Sequence, residues 1–498
     1  ASDVYKRQIR DWHLSGLEMP VRPVVDSRKA ETRTVFFAFK GENVDGHDYV
    51  GDAFKRGAIA AIVERDVAID ANVVDTTQHT PPTNVVTPLI IRTSNVLEAL
   101  QNVARFWRDQ LNPRVVGITG SVGKTTTKEV VARVLESRYR VLHSTGSFNN
   151  EIGLPLTILE LTSDHDYLVL EMGMYAQGDI KFLAGIARPH IGIVTNVEPV
   201  HAERAGSIEN IALGKRELVE CLPAAPEGVA ILNHDDRRVR AMAEHTQARA
   251  FFYGFSPQAN LWVDEVESLG LDGIHVRLHY GKDQLYVKIP LLGRHSAHTV
   301  LRAAAAGLVA GLDWQDIIEG LRAPTTQLRL VAVRGPNDSL ILDDTYNASP
   351  PSTLAALNLL KDLQIDNGVL LPDNAFAGRK IAVLGDMLEL GDYEEVGHLK
   401  VGCRAASIVQ ELITVGTLAR QIARGAELCG LDQAHIHSVE DSDTAIPLLC
   451  NLLQPNDIIL VKGSRAMKME DIVTALVELR NAACPLPPEE NDLPKEEG

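Results

Sequence analysis

The sequence has few cysteines, no long apolar run and an excess of acidic over basic residues, and each of these properties excludes a class of protein or site. Only 5 of its 498 residues are cysteine. They stand singly, with no Cys-x-x-Cys pair, so neither a zinc site nor a disulfide framework is indicated and we expect five reduced thiols. No apolar run approaches the roughly 20 residues that cross a bilayer. The first residues also lack the apolar stretch of a signal peptide. We therefore expect a cytoplasmic protein without membrane insertion.

Positive charge is also scarce. The chain has 49 Lys and Arg against 66 Asp and Glu, which gives a net charge of −17. Such a chain repels nucleic acids and anionic membranes, so we expect no nucleic-acid partner. A phosphate-bearing ligand would need cations that are concentrated locally, or a metal ion.

The remaining composition is that of a globular protein, with 45% hydrophobic and 23% charged residues. Short apolar strands alternate with helical patterns, which predicts an α/β fold of parallel sheets with crossover helices. The alternating pattern at 273–278 instead predicts antiparallel strands. A length of 498 residues suggests about three domains.

We predict three domains, a tail and two insertions. The domains are a small N-terminal α/β domain at 1–92, a central P-loop NTPase-like domain at 93–325 and a C-terminal Rossmann-like domain at 326–484. In the central domain we expect a mostly parallel sheet with an added small antiparallel sheet. Residues 485–498 are acidic and proline-rich, which predicts a disordered tail. The polar stretches 75–88 and 364–378 are interpreted as surface insertions.

The strongest motif is GITGSVGKTTT at 117–127. A buried strand leads into a glycine-rich turn and then a helix, which arranges backbone N–H groups around an anion. Lys124 can then reach phosphate, and the Thr125 hydroxyl can bind Mg²⁺. Ile118 stands where the strict pattern has glycine. The alternative is a strand–helix turn with a surface lysine. The predicted nucleotide-binding residues of this loop are Gly120, Ser121, Val122, Gly123, Lys124, Thr125 and Thr126.

Two side chains follow the next buried strands. Glu171 stands at the end of strand 167–170, and His201 lies beyond strand 191–195. Ligands in such sheets bind at the carboxyl ends of the strands, so both could hold Mg²⁺. The alternatives are a solvated strand-end glutamate and an ordinary loop histidine. Lys215, taken by itself, is interpreted as a helix-surface lysine.

The C-terminal half carries two further strand ends with charged side chains. Asp343 and Asp344 could hold a ribose or a metal, or could form an Asx turn before the next helix. Lys462 and Arg465 suit a carboxylate or a phosphate, or could be polar residues at a helix start.

Together these motifs resemble the Mur ligase family, the ATP-dependent amide ligases of peptidoglycan precursor synthesis, over nearly the whole chain. The loop at 117–127 has that family's shifted glycines, and 148–155 (FNNEIGLP) resembles the loop after its first central helix. Segments 26–28 and 39–47 resemble its N-terminal uridine-nucleotide domain. Three C-terminal motifs resemble those of the members that add D-alanyl-D-alanine. They are 343–350 (DDTYNASP), 383–391 (VLGDMLELG) and 461–469 (VKGSRAMKM).

The resemblance implies a bacterial, cytoplasmic, monomeric ligase that forms ADP. Its cofactors would be ATP and two Mg²⁺ ions, and its substrates UDP-N-acetylmuramoyl-tripeptide and D-alanyl-D-alanine. Through an acyl-phosphate it would complete the UDP-MurNAc-pentapeptide. The two alternatives are a Mur-like ligase for another acceptor and a P-loop ATPase or regulatory module that does not ligate.

The resemblance also assigns roles to residues. The implied catalytic residues are Lys124, Glu171, His201 and Lys215, and Lys215 matches a lysine that is carbamylated in sister ligases. The implied metal ligands are Thr125, Glu171 and His201. Beyond the phosphate loop, the implied nucleotide contacts are His295, Arg329 and Asp344. The implied substrate residues are Ser27, Arg28, Asp45, His47, Asn149, Asn150, Asn347, Ser349, His398, Lys462 and Arg465.

One departure from the family pattern lies near the domain junction. The family has His-Asn-x-x-Asn where this chain has His295-Ser296-Ala297-His298-Thr299. Ser296 and Thr299 still donate and accept hydrogen bonds, so we expect altered nucleotide contacts rather than inactivity.

Overall fold

The computed structural model describes residues 22–41, 44–78, 87–200, 202–323, 330–363 and 378–483. The tail predicted at 485–498 lies outside these residues, as does nearly all of the insertion predicted at 364–378 and the middle of the one at 75–88.

The first sheet has five parallel strands in the order β1-β2-β3-β5-β4. Helix α1 (Val50–Lys55) connects the second strand to the third. Helix α2 (Val96–Gln110) follows the sheet and packs its residues Val96 and Leu100 against Phe37 and Ile62. The strands are β1 (Arg22–Val24), β2 (Thr34–Phe37), β3 (Ala60–Val63), β4 (Asn72–Asp75) and β5 (Leu89–Arg92).

The second sheet has nine strands in the order β14-β13-β12-β11-β10-β9-β6-β8-β7. The strands are β6 (Arg114–Thr119), β7 (Val141–His143), β8 (Tyr167–Glu171), β9 (Ile191–Val194), β10 (Val229–Asn233), β11 (Arg249–Gly254), β12 (Leu261–Ser268), β13 (Ile274–Tyr280) and β14 (Asp283–Ile289). The predicted antiparallel strands are β12 to β14. They extend the parallel sheet edge to edge, because β11 and β12 pair at Tyr253–Leu261 and Gly254–Trp262.

Eight helices, counted over the described residues, surround the second sheet. They are α3 (Lys124–Glu136), α4 (Gly153–Leu159), α5 (Asp179–Ala187), α6 (Ala202–Ala205), α7 (Ile208–Glu220), α8 (Arg237–Ala241), α9 (Ala297–Ala310) and α10 (Trp314–Arg322). Successive residues of β6 enter different cores, with Val115 in one hydrophobic cluster and Val116 in another. The sheet is therefore buried on both faces, as expected for parallel strands with crossover helices.

The third sheet has six strands in the order β15-β16-β20-β17-β18-β19, and only β15 is antiparallel to its neighbour. The strands are β15 (Val331–Arg334), β16 (Leu340–Asp343), β17 (Lys380–Gly385), β18 (Glu411–Val415), β19 (Ile436–Val439) and β20 (Ile458–Lys462). The helices are α11 (Pro350–Asp362), α12 (Glu394–Ala406), α13 (Arg420–Leu428), α14 (Ser442–Leu452) and α15 (Glu470–Ala483). Hydrophobic clusters cover both faces, which gives the predicted Rossmann-like arrangement.

The prediction of five reduced thiols is wrong for one pair, because Cys403 and Cys429 form a disulfide. Helices α12 and α13 approach each other closely where each has a glycine. A β-carbon on Gly402 would collide with the carbonyl of Ile422. The backbones are therefore close enough to bring the two cysteines to a Cα–Cα distance of 5.0 Å, although they are 26 positions apart.

Within the ranges given above, the structure contains no helix long and apolar enough to span a membrane.

Candidate active site

The loop between β6 and α3 requires two glycines. Gly120 has φ +143°, and a β-carbon there would collide with Oγ1 of Thr195. Gly123 has φ +81°, in the left-handed region that glycine adopts without strain. The glycines therefore stand at 120 and 123, where the backbone turns toward the N-terminus of α3.

The segment after β9 holds this loop in shape. The N–H of Val122 donates to Oδ1 of Asn196 at 2.9 Å, and the N–H of Ser121 donates to the Asn196 carbonyl at 3.0 Å. The Thr195 hydroxyl donates to the carbonyl of Val122 at 2.8 Å. Sequence reasoning missed Thr195 and Asn196. Their position directly after a strand that pairs with β6 was the available signal.

Lys124 and Thr126 lie where a phosphate-binding loop needs them. Both belong to the first turn of α3, so their backbone N–H groups point toward the loop. Nζ of Lys124 donates to the carbonyl of Gly120 at 2.9 Å and to that of Ser121 at 3.3 Å. The ammonium group therefore lies directly over the glycine-rich turn.

Glu171 is the buried centre of the site. It is fully buried at the end of β8, and its carboxylate accepts the Thr125 hydroxyl and the Asn149 amide, each at 2.7 Å. The alternative of a solvated strand-end glutamate is thereby excluded. The hydroxyl and carboxylate oxygens of Thr125 and Glu171 are the hard donors that Mg²⁺ prefers.

The described part of the chain contains no group of three or more His, Cys, Asp or Glu side chains that could hold a metal ion. A Mg²⁺ ion needs only one or two carboxylates when phosphate and water complete its shell, so the pair Thr125 and Glu171 still fits it. His201, the third predicted ligand, lies outside the described residues.

Lys215 is buried on α7, so its interpretation as a surface lysine from the residues alone is wrong. Loss of hydration holds its pKa well below the ordinary value, and the nearby charge of Lys124 lowers it further. A buried lysine with a depressed pKa beside a phosphate-binding loop points to chemistry rather than to solvation.

A cavity of about 380 Å³ lies beside the phosphate loop at the carboxyl edge of the second sheet. Six predicted residues meet there, namely Gly120, Ser121, Lys124, Asn149, Asn150 and Lys215. Asn150 also accepts the N–H of Gly153 at 2.9 Å and so orders the start of α4. The cavity wall also includes three residues that sequence reasoning missed: Tyr175, Asp179 and Phe182.

A second group of predicted residues gathers on the third sheet. Nζ of Lys462 lies 2.6 Å from Oδ2 of Asp344 and donates to the carbonyl of Asn347 at 2.8 Å. The surrounding protein lowers the pKa of His295 by removing water, and Asp344 acts in the opposite direction. His295 of the central region therefore lies near enough to Asp344 for the carboxylate charge to act on it.

Tyr346 connects the two groups. Its hydroxyl donates to Oγ of Ser147 at 2.7 Å, and Ser147 lies two residues before Asn149. The guanidinium of Arg465 lies 5.6 Å from the centre of the Tyr346 ring, with its side chain 67% exposed. Arg465 also pairs with Glu470, with 3.5 Å between Nη1 and Oε1, and its exposed side chain lies on the side of Tyr346.

Two predicted substrate residues make contacts within the chain. His398 is fully buried; its Nε2 accepts the N–H of Met387 at 3.0 Å, and its Nδ1 donates to the carbonyl of Glu394 at 2.6 Å. Ser349 is buried before α11, and its N–H donates to the Ser352 hydroxyl at 3.0 Å. In this conformation both side chains order the motifs that carry them, and their substrate roles stay predictions.

The predicted residues of the first sheet lie on two ordered loops. Arg28 makes a two-pronged pair with Asp26, whose pKa falls to about 2 because of the Arg28 hydrogen bonds. The N–H of His47 and then its ring lower the pKa of Asp45 to about 2, and the ring lies 2.6 Å from that carboxylate. Ser27 is buried beside Arg28. Ser27, Arg28, Asp45 and His47 do not line the cavity, and their roles toward a uridine nucleotide stay predictions.

Ser296 and Thr299, which stand where the family pattern has asparagine, form hydrogen bonds within the chain. The Ser296 hydroxyl donates to the carbonyl of Leu292 at 2.7 Å, and the Thr299 hydroxyl accepts from Arg302 at 3.2 Å. Both hydroxyls are therefore engaged within the chain. Arg329, the predicted phosphate contact, lies outside the described residues.

Three family models match consecutive parts of the chain. The Mur ligase family, catalytic domain, matches residues 24–108; the Mur ligase middle domain matches 118–307; and the Mur ligase, glutamate ligase domain, matches 328–465.

Individual relatives match nearly the whole chain. UDP-N-acetylmuramoyl-tripeptide–D-alanyl-D-alanine ligase of Bacillus subtilis is 34% identical over 455 residues, or 91% of this chain and 92% of the relative. A crystal structure of MurF from Acinetobacter baumannii has a TM-score of 0.77 at 29% identity and covers 92% of this chain and 93% of its own. MurF from Thermotoga maritima in complex with ADP has a TM-score of 0.73 at 26% identity, over 93% and 99% of the two chains. This chain belongs to the Mur ligase family.

Proposed function

We propose that this chain joins D-alanyl-D-alanine to UDP-N-acetylmuramoyl-tripeptide, with cleavage of ATP to ADP and phosphate, in peptidoglycan synthesis. The relatives that carry this name match over nine-tenths of both chains. The observation that carries the proposal is the single cavity that holds Lys124 and Lys215, with Thr125 and Glu171 in contact beside the same loop. A ligase that uses ATP needs this arrangement of a phosphate loop and an oxygen-donor pair.

In the first step the tripeptide carboxylate attacks the γ-phosphorus of ATP, and ADP leaves. Lys124 and the N–H groups at the start of α3 bind the phosphates. Thr125 and Glu171 would hold Mg²⁺, which supplies positive charge for the transferring phosphoryl group. Asn149 keeps the Glu171 carboxylate oriented. The product is an acyl-phosphate.

In the second step the amine of D-alanyl-D-alanine attacks the acyl carbon, phosphate leaves and the amine loses a proton. We assign the binding of D-alanyl-D-alanine to the third sheet, where Asn347, Lys462 and Arg465 lie at or beyond the strand ends. The bond between Tyr346 and Ser147 brings that sheet next to the loop of Asn149. Closure of the third sheet onto the Asn149 loop would exclude water from the acyl-phosphate.

Lys215 is proposed to react with CO₂. Its neutral amine would form a carbamate and release one proton, which converts a buried lysine into an anion suited to Mg²⁺. The depressed pKa of Lys215 supports this, because only the neutral amine is nucleophilic. The test is ¹³C NMR in ¹³C-bicarbonate: a carbamate signal is expected in the wild type and none in Lys215→Arg. A wild-type spectrum without that signal would exclude the modification.

The domain boundaries stay as proposed from the sequence: 1–92 for the uridine nucleotide, 93–325 for ATP and 326–484 for the dipeptide. Ser27, Arg28, Asp45 and His47 would bind the uridine end. The wall residues Tyr175 and Phe182 line the same cavity as Lys124 and Asn149, so they are candidates for the peptide stem.

The deciding experiment measures phosphate release from ATP and Mg²⁺ with UDP-N-acetylmuramoyl-tripeptide, with and without D-alanyl-D-alanine, and the mass of the product. Release that requires both acceptors, with a pentapeptide product, is the expected result. Parallel assays with the lysine and the diaminopimelate tripeptides identify the third residue. Phosphate release without the dipeptide and without a new amide would instead favour an ATPase, and product with a different amine would favour another acceptor.

A further inference from the structure

A buried arginine lies directly behind the phosphate loop. Arg302 belongs to α9 and is 5% exposed. A β-carbon built on Gly123 would lie 3.4 Å from Nη1 and 3.7 Å from Nη2 of Arg302. The guanidinium is therefore in contact with the point where the loop turns into α3. The mechanism proposed above makes no use of this residue.

The charge of Arg302 has no carboxylate to balance it within the described residues. Nε donates to the carbonyl of His298 at 2.8 Å, and Nη2 donates to the Thr299 hydroxyl at 3.2 Å. Both acceptors are neutral. Nη1 is buried and has no hydrogen-bond partner in the described part of the chain. The remaining neighbour is the ring of Tyr253, 6.0 Å from the guanidinium carbon.

A buried charge without a counter-ion is costly to fold, so its retention calls for an explanation. Burial lowers the pKa of Arg302, which reflects that cost. A polyanion held on the other side of Gly123 would supply the missing counter-charge. The chain has a net charge of −17, so the positive charge that offsets a triphosphate has to be placed locally.

We propose that Arg302 is a fixed positive charge of the nucleotide site, which strengthens phosphate binding from behind the loop. It acts through the loop rather than by touching the reacting atoms, and is therefore a positioning residue for the phosphates. Its contact with Thr299, one of the two positions that depart from the family pattern, places this charge next to the altered nucleotide contacts. The inference rests on the proposed use of ATP.

The test compares binding of ADP and of inorganic pyrophosphate by calorimetry and by thermal shift. The variants are Arg302→Met, which removes the charge, and Arg302→Lys, which retains it. The control is Arg108→Met: Arg108 is also buried and bonds to the carbonyls of Ala187 and Arg188, but lies at the opposite edge of the second sheet. Ligation by the wild type is measured separately, so failure of the proposed function and failure of this inference remain distinguishable.

We expect Arg302→Met to weaken ADP binding roughly 10- to 100-fold, the range of a lost charge-assisted contact, and to abolish the stabilisation by pyrophosphate. Its melting temperature without ligand should not fall, because an unbalanced charge has been removed. Arg302→Lys should retain most of the affinity, and Arg108→Met all of it.

Wild-type affinity for ADP in Arg302→Met would overturn the inference. An equal loss in Arg108→Met would also overturn it, since buried arginine in general would then be responsible. If Arg302→Met does not fold, Arg302→Gln gives the same comparison with the polar contacts retained.

Discussion

Lys462 and Asp344 form an ion pair with 2.6 Å between Nζ and Oδ2, although 118 positions separate them. The resemblance assigns Lys462 to the dipeptide and Asp344 to the nucleotide. They meet because β16 and β20 are adjacent parallel strands, with Asp343 opposite Val461. The ion pair therefore joins the residue proposed for the nucleotide to the residue proposed for the dipeptide.

Removal of Lys462 should damage both folding and activity. In Lys462→Met, Asp344 loses its partner in a place where the lysine side chain is only 2% exposed. Loss of one member of a buried pair costs about 3–5 kcal/mol of the free energy of unfolding. Urea denaturation of the variant should show this loss, together with a large fall in kcat. The double variant Lys462→Met with Asp344→Asn should regain stability but not activity; recovery of both would contradict a role in the reaction.

The hydroxyl of Tyr346 should stabilise closure of the third sheet onto the second. Tyr346→Phe removes the 2.7 Å bond to Ser147, worth about 1 kcal/mol at most sites. We expect a several-fold higher KM for D-alanyl-D-alanine and an unchanged melting temperature. The control is Tyr286→Phe, which also removes a hydrogen-bonded hydroxyl but lies on β14. An unaltered KM in Tyr346→Phe would show that the bond does not support closure.

Glu171 should set the requirement for Mg²⁺. Glu171→Gln keeps the shape of the side chain and an oxygen for Asn149, but removes the buried negative charge. We expect kcat/KM to fall on the order of 10²–10³-fold and half-maximal activity to need more Mg²⁺. A Mg²⁺ titration measures this, with the exposed glutamate variant Glu160→Gln as control. A uniform loss of activity at every Mg²⁺ concentration would argue against a role as metal ligand.

The burial of Lys215 should make stability depend on pH. Its pKa is depressed in the folded chain below the ordinary 10.5. At a pH between the pKa of Lys215 in the folded chain and that in the unfolded chain, the unfolded chain binds more protons than the folded chain. The free energy of unfolding therefore rises with pH across that window. In CO₂-free buffer, Lys215→Met should be more stable than the wild type near pH 7, and the difference should shrink as the pH approaches 10.5.

Urea denaturation between neutral and alkaline pH checks this, with the exposed Lys181→Met as control. Parallel pH dependence in the wild type and Lys215→Met would mean that Lys215 is protonated in the folded protein.

Much of the fold followed from the sequence, because buried parallel strands carry a strong local signal. The strand predicted at 167–170 is Tyr167–Glu171 in the structure, and the one at 191–195 is Ile191–Val194. The phosphate loop and Glu171 were placed by the same reasoning, since the carboxyl ends of parallel strands share one edge. In the structure the two are in contact, because the Thr125 hydroxyl of the loop donates to the Glu171 carboxylate.

What sequence reasoning missed depends on contacts between distant segments. Lys215 has the flanking residues of a surface lysine, and only the packing of α7 on the second sheet buries it. The disulfide depends on the glycines at the crossing of α12 and α13. Asn196 supports the phosphate loop only because β9 lies beside β6. No local pattern carries such information.

The distribution of the hydrophobic clusters has a consequence for calorimetry. Among the residues that the structure describes, the third sheet has two clusters of its own, to which only Leu292 is added from outside. By contrast, Leu156 of α4 shares a cluster with Phe37 of the first sheet. The chain should therefore unfold in two separate heat-absorption peaks, one for the third sheet and one for the rest. Each substitution then reports on its own cooperative unit: Lys462→Met should move one peak and leave the other in place, and Lys215→Met should do the reverse.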